Sequence, residues 1–374
     1  MRRRIWLLVG SLLVGGLRAP AQEAPAGSLA PERAAAVDAA VRAQMAKDEA
    51  VGVALGLIEH GRIVYLRGYG LADREQQKPV TTATLFRWAS CSKPVTAVAA
   101  MQLVEQGRLD LDAEMRRYVP EFPDKGVPIT TRRLLCHQGG IVHYSNGKVI
   151  RTERRYEVPH PFEDVILALD LFKESPLVCR PGEKYSYTTH GYILASAVVQ
   201  RAGGRKFADQ VRARISGPLG MTTFQPDYEW VAIPERTEGY RKLMVGTGKS
   251  RDGDVSWKLG GGGYLSNIGD FARFVAGLAN RKLVSEQTER LMWTPQALAD
   301  GTATTYGLGF GIGGTGDRRV ISHGGAQEKT RTLFRLYPAQ RRGLVLMTNS
   351  EWVRPEEYAG PALKVLGSAA VGSR

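Results

Sequence analysis

Cysteine is nearly absent. Cys91, Cys136 and Cys179 are the only thiols in 374 residues. Three cannot all pair within one chain, and they are too few for a disulfide scaffold. No spacing around them matches a structural zinc site, so no metal is expected. Cys91 falls in an apolar helical stretch and reads as a small buried residue. An oxidising compartment would still allow a Cys136–Cys179 bridge. Long apolar runs are missing too. Spanning a bilayer takes about 20 apolar residues. The nearest approach, Ile5 to Leu17, is shorter and ends in Arg18. It lies between a basic start, Met1-Arg-Arg-Arg4, and a small-x-small site, Ala19-Pro20-Ala21. This pattern reads as a signal peptide over residues 1–21, cleaved before Gln22. No lipid-attachment cysteine follows it. The expectation is an exported protein, periplasmic or secreted, with no integral membrane segment after cleavage.

Acidic residues are also in short supply, 37 against 51 basic ones, for a formal charge of +14. Arg2, Arg3, Arg4 and Arg18 leave with the signal and no acid does, which gives 14 − 4 = +10 for the mature chain. Basic clusters stand at Arg132-Arg133 and at Arg151, Arg154 and Arg155. Export argues against nucleic acid as a partner. Solvated basic faces near anionic envelope polymers or lipids are the plainer reading. There is no internal repeat and no low-complexity linker after residue 30.

What is present is an ordinary globular pattern. Val37, Val41 and Met45 recur at helical spacing within an Ala-rich stretch, so Pro31 to Asp48 is predicted helical. Val51 to Ile58, a Glu59-His60-Gly61-Arg62 turn, and Ile63 to Arg67 predict a β-hairpin. Arg319 to Ser322, Thr330 to Tyr337 and Gly343 to Met347 predict three more strands, and Pro355 to Leu366 a closing helix. The middle, about 90 to 215, reads as mostly helical. The fold class is therefore α+β. One antiparallel sheet is built from both chain ends (about 30–85 and 215–374) and flanked by helices. A mostly helical lobe (about 86–214) faces it across a cleft, the usual place for an active site.

Ser90-Cys91-Ser92-Lys93 opens a helix running to about Gln106, stopped by Gly107, with Pro94 in its first turn where a missing N–H costs little. Residues three apart share a helix face, so the Ser90 hydroxyl and the Lys93 amine can meet. The helix is apolar nearly all round and should be buried. Burial disfavours charged lysine and makes it a usable base. The positive end of the helix faces an oxyanion forming beside Ser90. A second Ser-x-x-Lys, Ser145 to Lys148, lies in a polar loop. The plain alternatives are an N-cap role for Ser90, a core aromatic at Tyr187, and a structural histidine at the end of a strand for His323. His137 and His143, six apart, read as hydrogen-bonding rather than metal-binding. Gly246-Thr-Gly-Lys-Ser250 is no phosphate loop, because Leu243 stands where the first glycine is required. Thr247 to Asp254 reads as a polar surface loop.

Two further segments carry chemistry: Pro181-Gly-Glu-Lys-Tyr-Ser-Tyr-Thr-Thr-His-Gly-Tyr192 and His323-Gly-Gly-Ala326. With Ser90-x-x-Lys93, Tyr187-x-Thr189 and His323-x-Gly325 in this order, the chain resembles the serine β-lactamase and penicillin-binding superfamily. The likeness is to its class C-like branch, with D-Ala-D-Ala carboxypeptidases and related esterases. Phe86-Arg-Trp-Ala-Ser90, Gly107 to Asp112, Thr130 to Ile141, Gly261-Gly-Gly-Tyr-Leu-Ser266 and Tyr306-Gly-Leu-Gly-Phe310 extend it over about residues 35 to 365. The resemblance implies one catalytic domain over 22–374, without a cofactor, acting through an acyl-enzyme at Ser90 on esters or amides. Lys93 and Tyr187 would share the proton transfers, with the base not assigned between them. The backbone N–H groups of Ser90 and Ala326 would form the oxyanion hole. Thr189, His323, Gly324 and Gly325 would bind substrate, a small molecule or a peptide of cell-wall type. Thr189 replaces the usual Asn and His323 replaces a common Lys, which weakens the grip on an amide side chain and on a carboxylate. Short-chain esters are therefore expected to be turned over better than β-lactams. A rival reading is a non-catalytic domain that senses wall peptides. Tyr185 is a register alternative to Tyr187; the Pro181-Gly182 and Gly191-Tyr192 frame favours Tyr187. Oligomeric state stays open.

Overall fold

The computed structural model describes residues 28–367, so the signal-peptide reading of residues 1–21 lies outside the described residues. Helix α1, Pro31–Asp48, starts on a proline in its first turn and buries Val37 and Val41. It leads into β1, Gly52–Glu59, and β2, Arg62–Asp73, the expected hairpin, with β3, Lys78–Pro79, on its edge. A short strand β4, Phe86–Arg87, precedes α2, Ser92–Glu105. Then come α3, Thr131–Leu135, α4, Thr189–Gly203, and α5, Phe207–Val211. Strands β5, Gln225–Pro226, β6, Tyr240–Lys242, and β7, Thr247–Lys249, are followed by α6, Leu259–Gly262, and β8, Tyr264–Ser266. Helices α7, Ile268–Ala279, and α8, Glu286–Met292, precede β9, Gly311–Gly313, β10, Val320–Gln327, β11, Thr330–Tyr337, and β12, Arg342–Thr348. Helix α9, Pro355–Gly367, closes the chain.

The two chain ends meet in one antiparallel sheet of order β3-β2-β1-β12-β11-β10-β9. Strand β1 is the seam. Leu55 stands opposite Arg67 of β2 on one side and Leu346 of β12 on the other. Its alternate side chains enter different cores, as the pleat requires. Val53, Leu55 and Leu57 pack with Val37, Val41, Tyr358 and Ala362 of α1 and α9. Ala54 and Ile58 join Phe271, Phe274 and Val275 of α7 on the opposite face. A strand covered on both faces reads as the continuous apolar run seen here. The fold is the expected α+β arrangement.

The middle differs from its helical expectation. Between α2 and α4 the chain forms only α3 and short 3₁₀ turns, such as Met115–Arg117 and Leu167–Leu171. Pro120, Pro123, Pro128, Pro159, Pro161, Pro176 and Pro181 explain this. Each removes a backbone donor and keeps the preceding residue out of helical geometry. Other differences are smaller. Strand β10 runs five residues past Ser322 and so includes the His323-Gly-Gly-Ala326 segment. Thr247 to Lys249, read as loop, pairs with β6. Cys136 and Cys179 are unbridged, and all three thiols are free. Arg151, Arg154 and Arg155 are exposed, as expected of a solvated basic face, while Arg132 and Arg154 also pair with Asp112 and Asp170.

A small second sheet, β4-β8-β5, carries the chain into the Ser-x-x-Lys segment. Arg87 is buried there, its Nε 2.5 Å from Asp227, which also holds Arg236. Trp88 follows, wholly buried against Phe224, Phe271 and Phe274. Its indole N–H donates to Ser266 Oγ at 2.7 Å. Removing one member of a buried ion pair strands its partner, at about 3–5 kcal/mol. Asp227→Ala should therefore lower the unfolding free energy by roughly that amount in urea titration. A loss below about 1 kcal/mol would mean that Arg87 and Arg236 find other partners.

Candidate active site

Ala89 sets the geometry. Its φ of +48° lies in the left-handed region, which a residue with a Cβ adopts at a cost. It turns the chain sharply between β4 and α2, in a 3₁₀ turn over Ala89–Cys91 that carries Ser90. The N-cap residue of α2 is Cys91, with no side-chain cap, so Ser90 does not serve as the helix cap. Two groups converge on Ser90 Oγ: Lys93 Nζ at 3.0 Å and the Tyr187 hydroxyl at 2.8 Å.

Lys93 has no exposed surface, and every residue of α2 from Ser92 to Leu103 is buried. Its amine also donates to the Gly261 carbonyl at 2.8 Å and to Thr189 Oγ1 at 3.3 Å. No carboxylate touches it among the described residues. Burial holds Lys93 well below the usual lysine range, and nearby Lys258 pushes the same way. Burial moves the Tyr187 phenol upward instead, so it keeps its proton.

Tyr187 and Thr189 are positioned by two histidines. His137 Nδ1 accepts the Thr188 N–H and His143 Nδ1 accepts the Thr189 N–H, each at 3.2 Å. The His137 ring packs 4.3 Å from that of Tyr187. Burial pushes both imidazoles down, His143 to about 4, so both stay neutral and able to accept. This is the structural role expected of them. Thr188, not singled out in the sequence, caps α4 by accepting the Gly191 N–H. Tyr187 is the residue at Ser90; Tyr185 points elsewhere and is 41% exposed. The second Ser-x-x-Lys lies in an exposed segment over residues 144–148.

Strand β10 supplies the other wall. Strand β9 covers it only from Val320 to Ser322, which leaves the His323–Gln327 edge bare on that side. The Cys91 thiol donates to the His323 carbonyl, and the Thr332 hydroxyl donates to the Trp88 carbonyl at 2.8 Å. Between these ties lies Gly325. A Cβ there would stand 2.6 Å from the Trp88 carbonyl and 2.1 Å from Thr332 Oγ1. His323 Nδ1 faces the Gly324 carbonyl at 2.7 Å and therefore carries the proton. Its Nε2 accepts from the Tyr306 hydroxyl at 2.8 Å. Burial pushes this ring down to about 3. Both ring nitrogens are thus engaged within the protein, and the residue offers a substrate no cation. Ser90, Tyr187, His323, Gly324, Gly325 and Ala326 all line one cleft of about 580 Å³. Thr189 is not among its walls and reaches Lys93 instead.

Residues 37–365 match the family model described as Beta-lactamase. The chain belongs to the Beta-lactamase family. The human serine beta-lactamase-like protein LACTB, mitochondrial, is 31% identical, with 67% of this chain and 60% of that protein covered. The chain thus spans about 60% of the length of its LACTB relatives. Esterase EstB of Burkholderia gladioli is 35% identical over 197 residues, 50% of each chain. The crystal structure of D-amino acid amidase from Ochrobactrum anthropi SV3 with D-phenylalanine has a TM-score of 0.75 at 22% identity. It covers 90% of this chain and 99% of that one. At that identity the likeness is one of fold.

Other residues of this Beta-lactamase-family cleft escaped the sequence reading. Tyr144, Tyr306, Arg331, Arg354 and Glu356 all line it. Tyr306 sits in the Tyr306-Gly-Leu-Gly-Phe310 segment, which signalled the family without revealing a contact to His323. Arg354 and Glu356 flank the start of α9 and carry no motif; only the closure of the sheet brings them to Ser90. Among the described residues, no group of three or more His, Cys, Asp or Glu is placed to hold a metal ion.

Gly325→Val should slow labelling of Ser90 by a serine-reactive phosphonate about 100-fold, because the Trp88 carbonyl on the approach to Ser90 must shift. Gly324→Ala should leave the melting temperature unchanged, since a Cβ there meets nothing nearer than 3.9 Å. Equal labelling rates in Gly325→Val and the parent would show that the strand does not set the position of Ser90.

Proposed function

We propose that the protein is a serine hydrolase that forms an acyl-enzyme at Ser90, with Lys93 as general base. The observation that carries this reading is the buried Lys93 amine, 3.0 Å from Ser90 Oγ with no carboxylate beside it among the described residues. A neutral amine has two N–H bonds and one lone pair. The N–H bonds suit Gly261 O and Thr189 Oγ1, which leaves the lone pair for the Ser90 proton. As Oγ attacks the substrate carbonyl, Lys93 takes that proton. The Ser90 and Ala326 N–H groups would hold the developing oxyanion. Tyr187, protonated and 2.8 Å from Oγ, is placed to donate to the leaving atom while Lys93 returns its proton to Tyr187. Water then repeats the sequence on the ester formed at Ser90.

Esters and amides of modest size suit the cleft, with simple esters turned over ahead of β-lactams. Thr189 is engaged with Lys93 and His323 with Tyr306, so neither is free to bind an amide or a carboxylate. A β-lactam that needs both contacts loses about 1–3 kcal/mol at each unpaired group. Arg354 lines the same cleft, but its side chain is 80% exposed and well screened. The binding-only alternative rested on Thr189, whose hydroxyl serves the base. The signal-like segment over residues 1–21 supports an exported enzyme, where wall-type D-amino-acid amides would be a second substrate class.

Ser90→Ala should abolish phosphonate labelling and lower ester hydrolysis by about 10³-fold or more. Ser145→Ala should change neither, and intact-mass measurement separates the two. Equal loss in both variants would remove Ser90 from the mechanism.

The pH dependence follows from the same site. Lys93 must be neutral to act, so kcat/KM for a neutral ester should fall on acidification as it gains a proton. Tyr187 is shifted upward, so no limb belonging to it should appear in mild alkali. Tyr187→Phe should lower the plateau by about 10²–10⁴-fold and leave the acid limb in place. An acid limb that moves with Tyr187→Phe would assign the base to the phenol.

A further inference from the structure

The β6–β7 ribbon ends in an apolar tip that no described residue covers. Leu243, Met244 and Val245 follow one another there and are 46%, 105% and 90% exposed. The turn is tight, with the Leu243 N–H donating to the Gly246 carbonyl at 3.0 Å. Gly246 has a φ of +70°, a conformation open to glycine. A hairpin turn of this kind is ordinarily polar.

The base of the ribbon is clamped, so the tip cannot fold back. Tyr240 is fully buried; its N–H donates to the Asn349 carbonyl at 2.8 Å, and its carbonyl accepts from Glu351. Its hydroxyl donates to Glu75 at 2.7 Å. Arg74 binds the opposite strand, donating to Thr247 Oγ1 at 2.6 Å and to the Thr247 carbonyl at 3.2 Å.

Charge selects the occupant. From Gly239 to Arg251 the sequence has no acidic residue, while Arg241, Lys242 and Lys249 stand on the strands behind the tip and Arg251 follows β7 at the base of the ribbon. Glu49 pairs with Lys242, and Asp73, Glu75 and Glu238 lie 3.6–3.8 Å from Lys249. Both lysines are still 43% exposed. Arg241 and Arg251 are in no ion pair among the described residues. Three side chains on a convex turn bury far less than the ~800 Å² per partner of a stable protein pair. A bilayer accepts so small a wedge, with long basic side chains reaching back to the phosphates. We propose that the Leu243–Val245 tip docks the protein onto an anionic lipid surface, with Arg241 and Arg251 at the headgroups.

The test is co-sedimentation of the full chain with vesicles of phosphatidylglycerol and phosphatidylcholine, and of phosphatidylcholine alone, at low and high salt. The parent should partition onto the anionic vesicles and leave them as salt rises. The double variant M244D/V245D shares the same N-terminus, so any difference reports the tip; its partition should fall at least tenfold. R241E/R251E should lose the preference for anionic lipid. Ester hydrolysis in solution, measured alongside, should be unchanged in both variants, which shows that they fold. Equal partition of M244D/V245D and the parent would overturn the proposal, as would a parent that binds neither vesicle. So would concentration-dependent self-association abolished by M244D/V245D with no vesicle binding, which would make the tip a contact between copies.

Discussion

Among the described residues no carboxylate reaches Lys93, and the site is arranged around that fact. Its three hydrogen-bond partners, Ser90 Oγ, Thr189 Oγ1 and the Gly261 carbonyl, are neutral oxygens, and the Tyr187 and Tyr192 rings lie beside it. The imidazoles of His137, His143 and His323 around it are themselves held neutral, chiefly by burial. Arg87, one strand away, is matched by Asp227. The result is an apolar, hydrogen-bonded chamber that disfavours a charge on the lysine amine. The arrangement has a cost. Below the ordinary lysine range the unfolded chain holds this proton more firmly than the folded chain does, so the site opposes folding; the opposition fades as pH rises toward that range.

That chamber depends on the sheet being closed by the two chain ends. Strand β1 holds β12 in register, β12 holds β11, and β11 holds β10. Thr332 on β11 then ties the Trp88 carbonyl, and Gly325 opposite it has no Cβ to push the two apart. Ser90 is thus placed by side-chain-to-carbonyl hydrogen bonds with two strands more than two hundred residues away in sequence. The left-handed Ala89 is local strain held by the same ties. Packing in α2 and α7 and hydrogen bonding along β10 act together on one turn.

Much of this is legible in the sequence. Helix α1 has the bounds its Val37, Val41 and Met45 spacing implied, because an amphipathic period and a Pro31 start are local signals. Ser90, Lys93 and Tyr187 met as their motifs implied. Between α2 and α4 the chain does not form the expected helices, since scattered prolines interrupt it and the loops are held by contacts no local pattern encodes. Thr189 was read toward the substrate and turned toward Lys93; sequence gives its position at the head of α4 but not the direction of its hydroxyl. Arg354 and Glu356 reach the cleft only through the tertiary closure that follows β12. Leu243 stood out only as the wrong residue for a phosphate loop, because exposure of an apolar tip depends on what surrounds it.

The protonation state of Lys93 decides the account, and it can be observed without turnover. In protein carrying ¹³C at the lysine ε-carbons, the Lys93 resonance is identified by its loss in Lys93→Arg and followed through a pH titration. A neutral amine at pH 7, titrating well below the range of the surface lysines, is the predicted result. A Lys93 that remains an ammonium up to the ordinary lysine range would contradict its role as base and return the proton transfer to Tyr187.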